Sequence, residues 1–270
     1  AALKASSADL MTQFKALAQK PGAVARKDGD AAGALAKAAK KIEGEFEFPY
    51  LSHASMEPLN CVVHLTKDGC EVWNGEQNQT GDQFALSAVL GLKPDQVRLN
   101  QLMVGGSFGR RANPKSDYLV EAAFIAKALA TGEHAGAPIK LLWTREDDMR
   151  GGYYRPMYFH QVSAGLDANG QLIAWQQRIV GESIAAGTAF EPMMVKNGVD
   201  HTSVEGAVNL PYAVPNFYLD LHSPKTGVPV QWWRSVGATH TAFSTETMMD
   251  ELAVAAGKDP VAFRVGLLAK

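Results

Sequence analysis

The chain has 270 residues, 46% of them hydrophobic and 20% charged, and a formal net charge of -2. That composition belongs to an ordinary folded protein with core material for one large domain or two small ones, and it excludes a disordered chain. Its basic residues are scattered, which excludes the charge footprint of a nucleic-acid or anionic-membrane binder.

In chain order, the polar opening predicts a helix over 7–19 and a second over 28–41, with Asp30 as N-cap before alanine-rich sequence. Residues 1–41 thus read as a helical, peripheral linker segment. From Ile42 the period changes: "IEGEFEFPY" alternates, with Ile42, Phe46 and Phe48 on one face, and predicts a half-buried strand that opens a domain over 42–270. Cys61 to Trp73 reads as a hairpin around "VVHLTKDG"; with Asp68 and Gly69 as its two-residue turn, Leu65 faces Val72. That register holds Cys61 and Cys70 apart and favours buried thiols over a bridge. Two cysteines so spaced suit neither a disulfide scaffold nor a zinc or iron–sulfur site.

"NQTGDQFALSAVLGL" predicts a short helix and "PDQVRLNQLMV" a strand that runs into "VGGSFGRR". Residues 116–130 form the clearest helix, and "APIKLLWT" a strand after it. Asn169-Gly170 separates two alternating runs as a hairpin turn, setting Leu166 opposite Ile173 and Ala164 opposite Trp175. Residues 181–217 are irregular and rich in Gly, Pro and Met, a long loop with a function of its own, such as lining a substrate entrance. "NFYLDLHS" is a further strand, "STETMMDELAVAAG" a helix, and Asp259-Pro260 starts the last one with Asp as cap and Pro at its first position. No apolar run is long enough to cross a bilayer, and "AALKASSADLMTQF" lacks the regions of a secretory signal. Opening without Met and closing on an uncapped helical pattern, the chain reads as a fragment or processed piece.

The glycines of "GGSFGRR" allow backbone N–H groups to approach a ligand oxygen, and the helix beyond adds its positive end, which together suit a phosphate, a pyrophosphate or an oxo group. The spacing fits neither G-x-G-x-x-G nor G-x-x-x-x-G-K-[ST], and a tight strand-to-helix turn is the plainer alternative. His53 and Glu57 stand four apart, but Pro58 places them in a loop and favours a structural role, so no protein-ligated metal site emerges. The acids of "TREDDMRGGYYRP" read as a cap and turn. Arg155, past a Gly-Gly among aromatics, is either an anion clamp or a stem packed on Tyr153 or Tyr154, and Arg234 beside Trp232 and Trp233 has the same two readings.

The strings "FPYLSHASMEPLNC", "CEVWNGEQNQTGDQ", "VGGSFGRR", "WTREDDMRGGYYRP", "LPYAVPNF" and "WWRSVGATHTAFSTETMMDELA" stand in the order and spacing of the molybdopterin-binding large subunit of the xanthine oxidase/aldehyde oxidoreductase family. The chain most resembles its isoquinoline 1-oxidoreductase beta-subunit and bacterial aldehyde dehydrogenase branch. The resemblance implies an α+β fold of mixed sheets with packed helices, corresponding to the first molybdenum-cofactor-binding half of such a subunit. It implies a molybdenum hydroxylase that oxidises an aldehyde or N-heteroaromatic compound with oxygen from water. The cofactor would be molybdopterin carrying molybdenum, as a dinucleotide, with iron–sulfur clusters on a small [2Fe-2S] partner subunit.

By the same resemblance, Gln77 matches the glutamine that hydrogen-bonds an apical oxygen on molybdenum. Phe108 and Gly109 fall where backbone amides contact the cofactor, Gly105 and Gly106 shape that turn, Ser107 lies within it, and Arg234 matches an arginine beside the cofactor. Val236 stands where purine-oxidising relatives place a stacking phenylalanine, and Ala112 where they carry a substrate-binding glutamate, so both speak against a purine. Arg155 corresponds loosely to a substrate-side residue. The family's catalytic glutamate base lies near the far end of a much longer chain, and none can be assigned here. Alone, this chain would be an inactive part of the cradle, completed by the rest of the large subunit and placed in a bacterial periplasm or otherwise the cytoplasm. The rival readings are a non-catalytic structural or partner-docking fragment and a nucleotide binder.

Overall fold

A computed structural model describes residues 4–268. Helix α1 (Ser7–Ala18) starts at a capping box in which the Ser6 hydroxyl accepts from the Asp9 N–H and the Asp9 carboxylate accepts from the Ser6 N–H. Strand β1 (Ala23–Asp28) and helix α2 (Ala31–Ala36) follow, with Asp30 capping α2 through the Gly33 N–H at 3.0 Å. The predicted second helix is therefore short. Its last residues belong to β2 (Lys40–Phe48), where the two-residue alternation of Ile42, Phe46 and Phe48 prevails over alanine propensity.

Next come β3 (Leu51–Ser52), β4 (Asn60–Leu65), β5 (Cys70–Asn74), α3 (Gln79–Leu90), β6 (Val97–Gln101), α4 (Asp117–Ala128), β7 (Ile139–Leu142), α5 (Arg145–Arg150) and β8 (Tyr154–Arg155). The hairpin strands β9 (Tyr158–Leu166) and β10 (Leu172–Gly181) lead to four short elements, α6 (Glu191–Met194), β11 (Val195–Lys196), β12 (Val199–Asp200) and α7 (His201–Val204). The chain ends with β13 (Phe217–His222), α8 (Ala238–Ala256) and α9 (Pro260–Leu267), the last capped by Asp259 as expected. Helix α8 begins six residues before the predicted start, taking in the polar-looking "ATHTAF". Among the described residues, no helix is long and apolar enough to cross a membrane.

The chain divides into two compact units. The first, residues 1–51, 155–230 and 235–270, is built on a five-stranded sheet in the order β1-β13-β10-β9-β2, antiparallel except for the β10/β13 pair. One face packs Phe159 and Val180 against Leu10, Phe14 and Ala18 of α1. The other packs Val162, Trp175 and Ile179 against Met248, Met249 and Leu252 of α8. In the β9/β10 hairpin Ala164 faces Trp175 as expected, but a bulge between Leu172 and Ala174 puts Leu166 opposite Leu172 and not Ile173. The 181–217 stretch is no simple loop either: Val199, Val204, Ala207, Leu210, Tyr212 and Val214 are buried in the core.

The second unit, residues 52–154 and 231–234, has a four-stranded sheet in the order β6-β5-β4-β7. Strands β5 and β6 are parallel, joined through α3, and the other pairs are antiparallel. Helices α3 and α4 bring Leu86, Leu119, Ala122 and Ala123 onto Cys61, Val63, Val72 and Val97. The β4/β5 hairpin closes through a Thr66–Gly69 loop, the Thr66 N–H donating to Gly69 O at 2.9 Å, so Leu65 faces Cys70 and Val63 faces Val72. The expected Leu65–Val72 register fails because the loop has four residues where the reading allowed two. Both cysteines are free and buried, and burial pushes their thiols up to about 12 and about 11.

In the first unit, the Arg178 guanidinium grips the fully buried Asp220 with two 2.7 Å hydrogen bonds. Arg178→Ala should cost about 3–5 kcal/mol of stability, because it strands a buried carboxylate. Lys41→Ala, which removes an exposed pair with Glu43, should change little. Urea unfolding of the two variants checks this; equal midpoints would contradict it.

Candidate functional site

The glycine turn leaves β6 in the second unit. Leu102 N–H donates to Asn74 O at 2.9 Å, and Glu57 then holds Gly105 from both sides. Gly105 N–H donates to Glu57 Oε2 at 2.6 Å, and Glu57 N–H donates to Gly105 O at 3.2 Å. A Cβ on Gly105 would stand 2.8 Å from that of Glu57, so the approach requires glycine. Beyond it the backbone turns left-handed at Gly106 (φ 95°), Phe108 (φ 56°) and Gly109 (φ 102°).

This conformation has a direct consequence for hydrogen bonding. The N–H groups of Gly106, Ser107, Phe108 and Gly109 find no acceptor among the described residues, whereas those on either side, at Gly105, Arg110 and Arg111, are all bonded. A run of consecutive main-chain donors left without protein acceptors at left-handed backbone is the raw material of the nests that receive anionic or oxo oxygens.

Gln231–Arg234, distant in sequence, lies against this turn. Gln231 Nε2 donates to Gly109 O and Arg110 O at 3.0 and 3.2 Å, its Oε1 accepts from Asn113 Nδ2 at 2.7 Å, and Arg234 N–H donates to Phe108 O at 2.8 Å. Phe108 stacks on Trp233 with centroids 6.1 Å apart, where the sequence had offered Trp233 to Arg234. The Arg234 side chain is exposed and makes no ion pair among the described residues. Gln77, exposed between β5 and α3, receives a 2.5 Å hydrogen bond on Oε1 from Ser107 Oγ. Gln77, the 105–109 turn and Arg234 are thus one local assembly.

The paired arginines of "GRR" point inward. Arg110 makes a fork on Asp117 at 3.1 and 2.5 Å and lies over the Trp143 and Tyr153 rings. Arg111, 1% exposed, donates to Asn60 O, Asn74 Oδ1 and Glu57 Oε1. His53 donates from Nε2 to Trp232 O, 3.0 Å away, and burial lowers its pKa to about 4, so the ring is neutral. Thr144 and Asp147 form the capping box of α5, in keeping with the cap-and-turn reading of those acids.

Sequence reasoning missed Glu57 as a brace, and it missed Glu76 altogether. Glu76 is 5% exposed and both its oxygens lack a hydrogen-bonded partner; burial first, then the Asp82 charge, lift its pKa to about 7. Asp82 itself is lifted to about 6 by burial, although Ser116 Oγ donates to it at 2.6 Å.

Arg155 and Val236 belong to the first unit. Arg155 is buried, donates through Nη2 to Pro49 O at 2.6 Å, leaves Nε without a partner and has no ion pair among the described residues. It is Arg110, not Arg155, that packs over Tyr153. Ser235 and Val236 are both left-handed (φ 71° and 46°), a costly conformation for a β-branched residue and one often kept where function demands it.

The model of the molybdopterin cofactor-binding domain family matches residues 16–266. The chain is 30% identical over 226 residues to the isoquinoline 1-oxidoreductase subunit beta of Brevundimonas diminuta, covering 83% of this chain and 28% of that one. It is 31% identical over 240 residues to the membrane-bound aldehyde dehydrogenase [pyrroloquinoline-quinone] of Gluconacetobacter polyoxogenes, covering 84% and 29%. The chain therefore spans less than a third of the length of these curated relatives. Its fold is similar to that of quinoline 2-oxidoreductase from Pseudomonas putida 86, with TM-score 0.77 at 18% identity over 100% of this chain and 34% of that one. It is also similar to the aldehyde oxidoreductase of Desulfovibrio gigas, with TM-score 0.72 at 22% identity over 93% and 26%. The chain belongs to the molybdopterin cofactor-binding domain family, with the α+β fold expected of it.

Because burial raises the Glu76 pKa from an ordinary 4.5 to about 7, its effect on stability has a definite sign. Between those values the unfolded chain has lost the proton and the folded chain keeps it, so Glu76 makes stability fall as pH rises through that window and level off above it. Glu76→Gln should melt with the parent near pH 4 and above it at pH 8. A melting difference that does not grow across this range would overturn the assignment.

Proposed function

We propose that this member of the molybdopterin cofactor-binding family supplies one side of the cofactor cradle in a molybdenum hydroxylase acting on aldehydes or N-heteroaromatic compounds. The carrying observation is the run of four unpaired main-chain donors at Gly106–Gly109, bracketed by the Gln77 amide and the exposed Arg234. The cluster presents donors, with the nearby Glu57 carboxylate already engaged by Asn60 and Gly105. Such a donor set fits a group rich in phosphate, carbonyl and oxo oxygens.

When bound, molybdopterin supplies the redox chemistry, taking two electrons from a carbon that gains an oxygen from water. The chain's own residues bind and orient. Amides 106–109 donate to cofactor oxygens, Gln77 offers its amide to an oxo acceptor, and Arg234 contributes a positive charge to the same side. These are fixed dipoles, set by the fold before ligand arrives, so they need no reorganisation. Val236 and Arg155 are assigned to the substrate in this reading on the family resemblance alone. The curated relatives named for isoquinoline and aldehyde oxidation support the substrate classes, and Val236 and Ala112 weigh against a purine. The base that activates water comes from the remainder of the large subunit, so this chain alone is inactive. Electrons leave through a small [2Fe-2S] subunit, the pterin is a dinucleotide, and the complex works in the periplasm.

In the complete enzyme, Gly106→Val should lose most of its molybdenum and pterin with the far-ultraviolet dichroism unchanged. A Cβ there meets only ordinary contacts, the nearest 3.4 Å away, so the effect comes from the left-handed φ and from covering the bare amides, not from a core clash. Gln77→Ala should slow turnover on the order of 100-fold, as loss of one preorganised donor does, while metal content and melting hold. Full metal loading in Gly106→Val would refute the cradle. Thermal protection by NAD or ATP in place of pterin would favour a nucleotide site.

A further inference from the structure

Ser107 is the one side chain inside the glycine turn that makes a bond to Gln77, and the proton count at its hydroxyl fixes the direction of that bond. A serine hydroxyl has one hydrogen and two lone pairs. Arg111 N–H donates to Ser107 Oγ at 3.0 Å and takes up one lone pair. The hydroxyl hydrogen then needs an acceptor, and the acceptor in reach is Gln77 Oε1 at 2.5 Å. Ser107 is only 8% exposed, so water is a poor substitute. Nε2 of Gln77 is left without a partner among the described residues, on an exposed residue.

We propose that Ser107 is a positioning residue that sets which end of the Gln77 amide meets the bound group. A flipped amide would bring NH2 against the hydroxyl and leave the hydroxyl hydrogen without an acceptor, so the chain Arg111 N–H to Ser107 Oγ to Gln77 Oε1 runs one way only. The free end of Gln77 is therefore a donor, and its ligand is an acceptor: an oxo or an oxyanion, not a hydroxyl that must donate. The sequence places the two residues 30 positions apart, and nothing in the motif spacing links them. This inference rests on the reading of the turn as a cofactor cradle.

The test is a double-mutant cycle in the complete enzyme, with a spectroscopic arm that does not depend on turnover. Ser107→Ala should lower kcat about 3- to 10-fold, the worth of one neutral hydrogen bond, with KM and molybdenum content unchanged. Ser107→Thr, which keeps the hydroxyl, should restore it. In a Gln77→Ala background, Ser107→Ala should have no further effect. In protein labelled with 15N at glutamine, the Gln77 side-chain amide resonances, assigned by their loss in Gln77→Ala, should move in Ser107→Ala and return in Ser107→Thr. Additive kinetic effects, or amide resonances indifferent to Ser107→Ala, would overturn the proposal. If Gln77→Ala itself has no kinetic effect while the resonances move as expected, the cradle reading fails and the Ser107 orientation stands.

Discussion

Four main-chain N–H groups in a row find no acceptor among the described residues, and the turn at Gly106–Gly109 that leaves them so is held by its surroundings. The backbone is left-handed at three of the four residues. Two of those residues are glycines, but Phe108 carries the strain of a side chain at φ 56°. It is held by the Arg234 N–H on its carbonyl and by stacking on Trp233. Glu57 closes the entry to the turn with a two-way bond to Gly105, and Gln231 closes the exit with two bonds to Gly109 and Arg110 carbonyls. Each brace satisfies groups at the margin of the turn, and none reaches the amides between.

The electrostatics behind the turn follow the same division. Glu57 is kept ionised, its pKa lowered by the Asn60 amide first and the Gly105 N–H next, and its charge is met by donors at both oxygens. Glu76, one residue before Gln77, has no such donors and keeps its proton toward neutrality. His53 is neutral for the same reason, since burial disfavours its cation. A carboxylate charge unmatched beside a nest of donors would oppose an oxyanion ligand, and Glu57, the acid that braces the turn, has its charge met at both oxygens.

Much of this was legible in local sequence. The Asp30 and Asp259 caps, the alternation of β2 and the Asn169-Gly170 turn are set within a few residues, and period or cap chemistry reveals them. Register was harder: the Thr66–Gly69 loop and the bulge at Leu172 each shift pairing without leaving a pattern in the apolar residues. Strand β1, with two cations and a carboxylate in "AVARKD", carries no alternating signal and owes its place to pairing with β13. The glycine turn and Gln77 were found by motif and resemblance. The contacts that brace them were not, because Glu57 and Gln231 reach the turn, and Ser107 reaches Gln77, across 30 or more residues, and Glu57 sits in a spacing that read first as a candidate metal pair.

The arginines show why a motif and a site differ. "GRR" invites the reading that two guanidiniums wait for an anion, yet Arg110 is consumed by Asp117 and Arg111 by Asn60, Asn74 and Glu57. Both are buried, and their work is to hold β4, β5 and the start of α4 around the turn. What remains for a ligand is one exposed arginine and a set of directional dipoles. Dipoles fixed in a partly dry surface discriminate by geometry, accepting an oxygen at the right point and gaining little from net charge elsewhere, whereas a pair of free arginines would draw any phosphate or carboxylate. In the proposed reading, a cradle for a large, oxygen-rich cofactor needs the first kind of recognition, and burying the two charges nearest the turn is consistent with it.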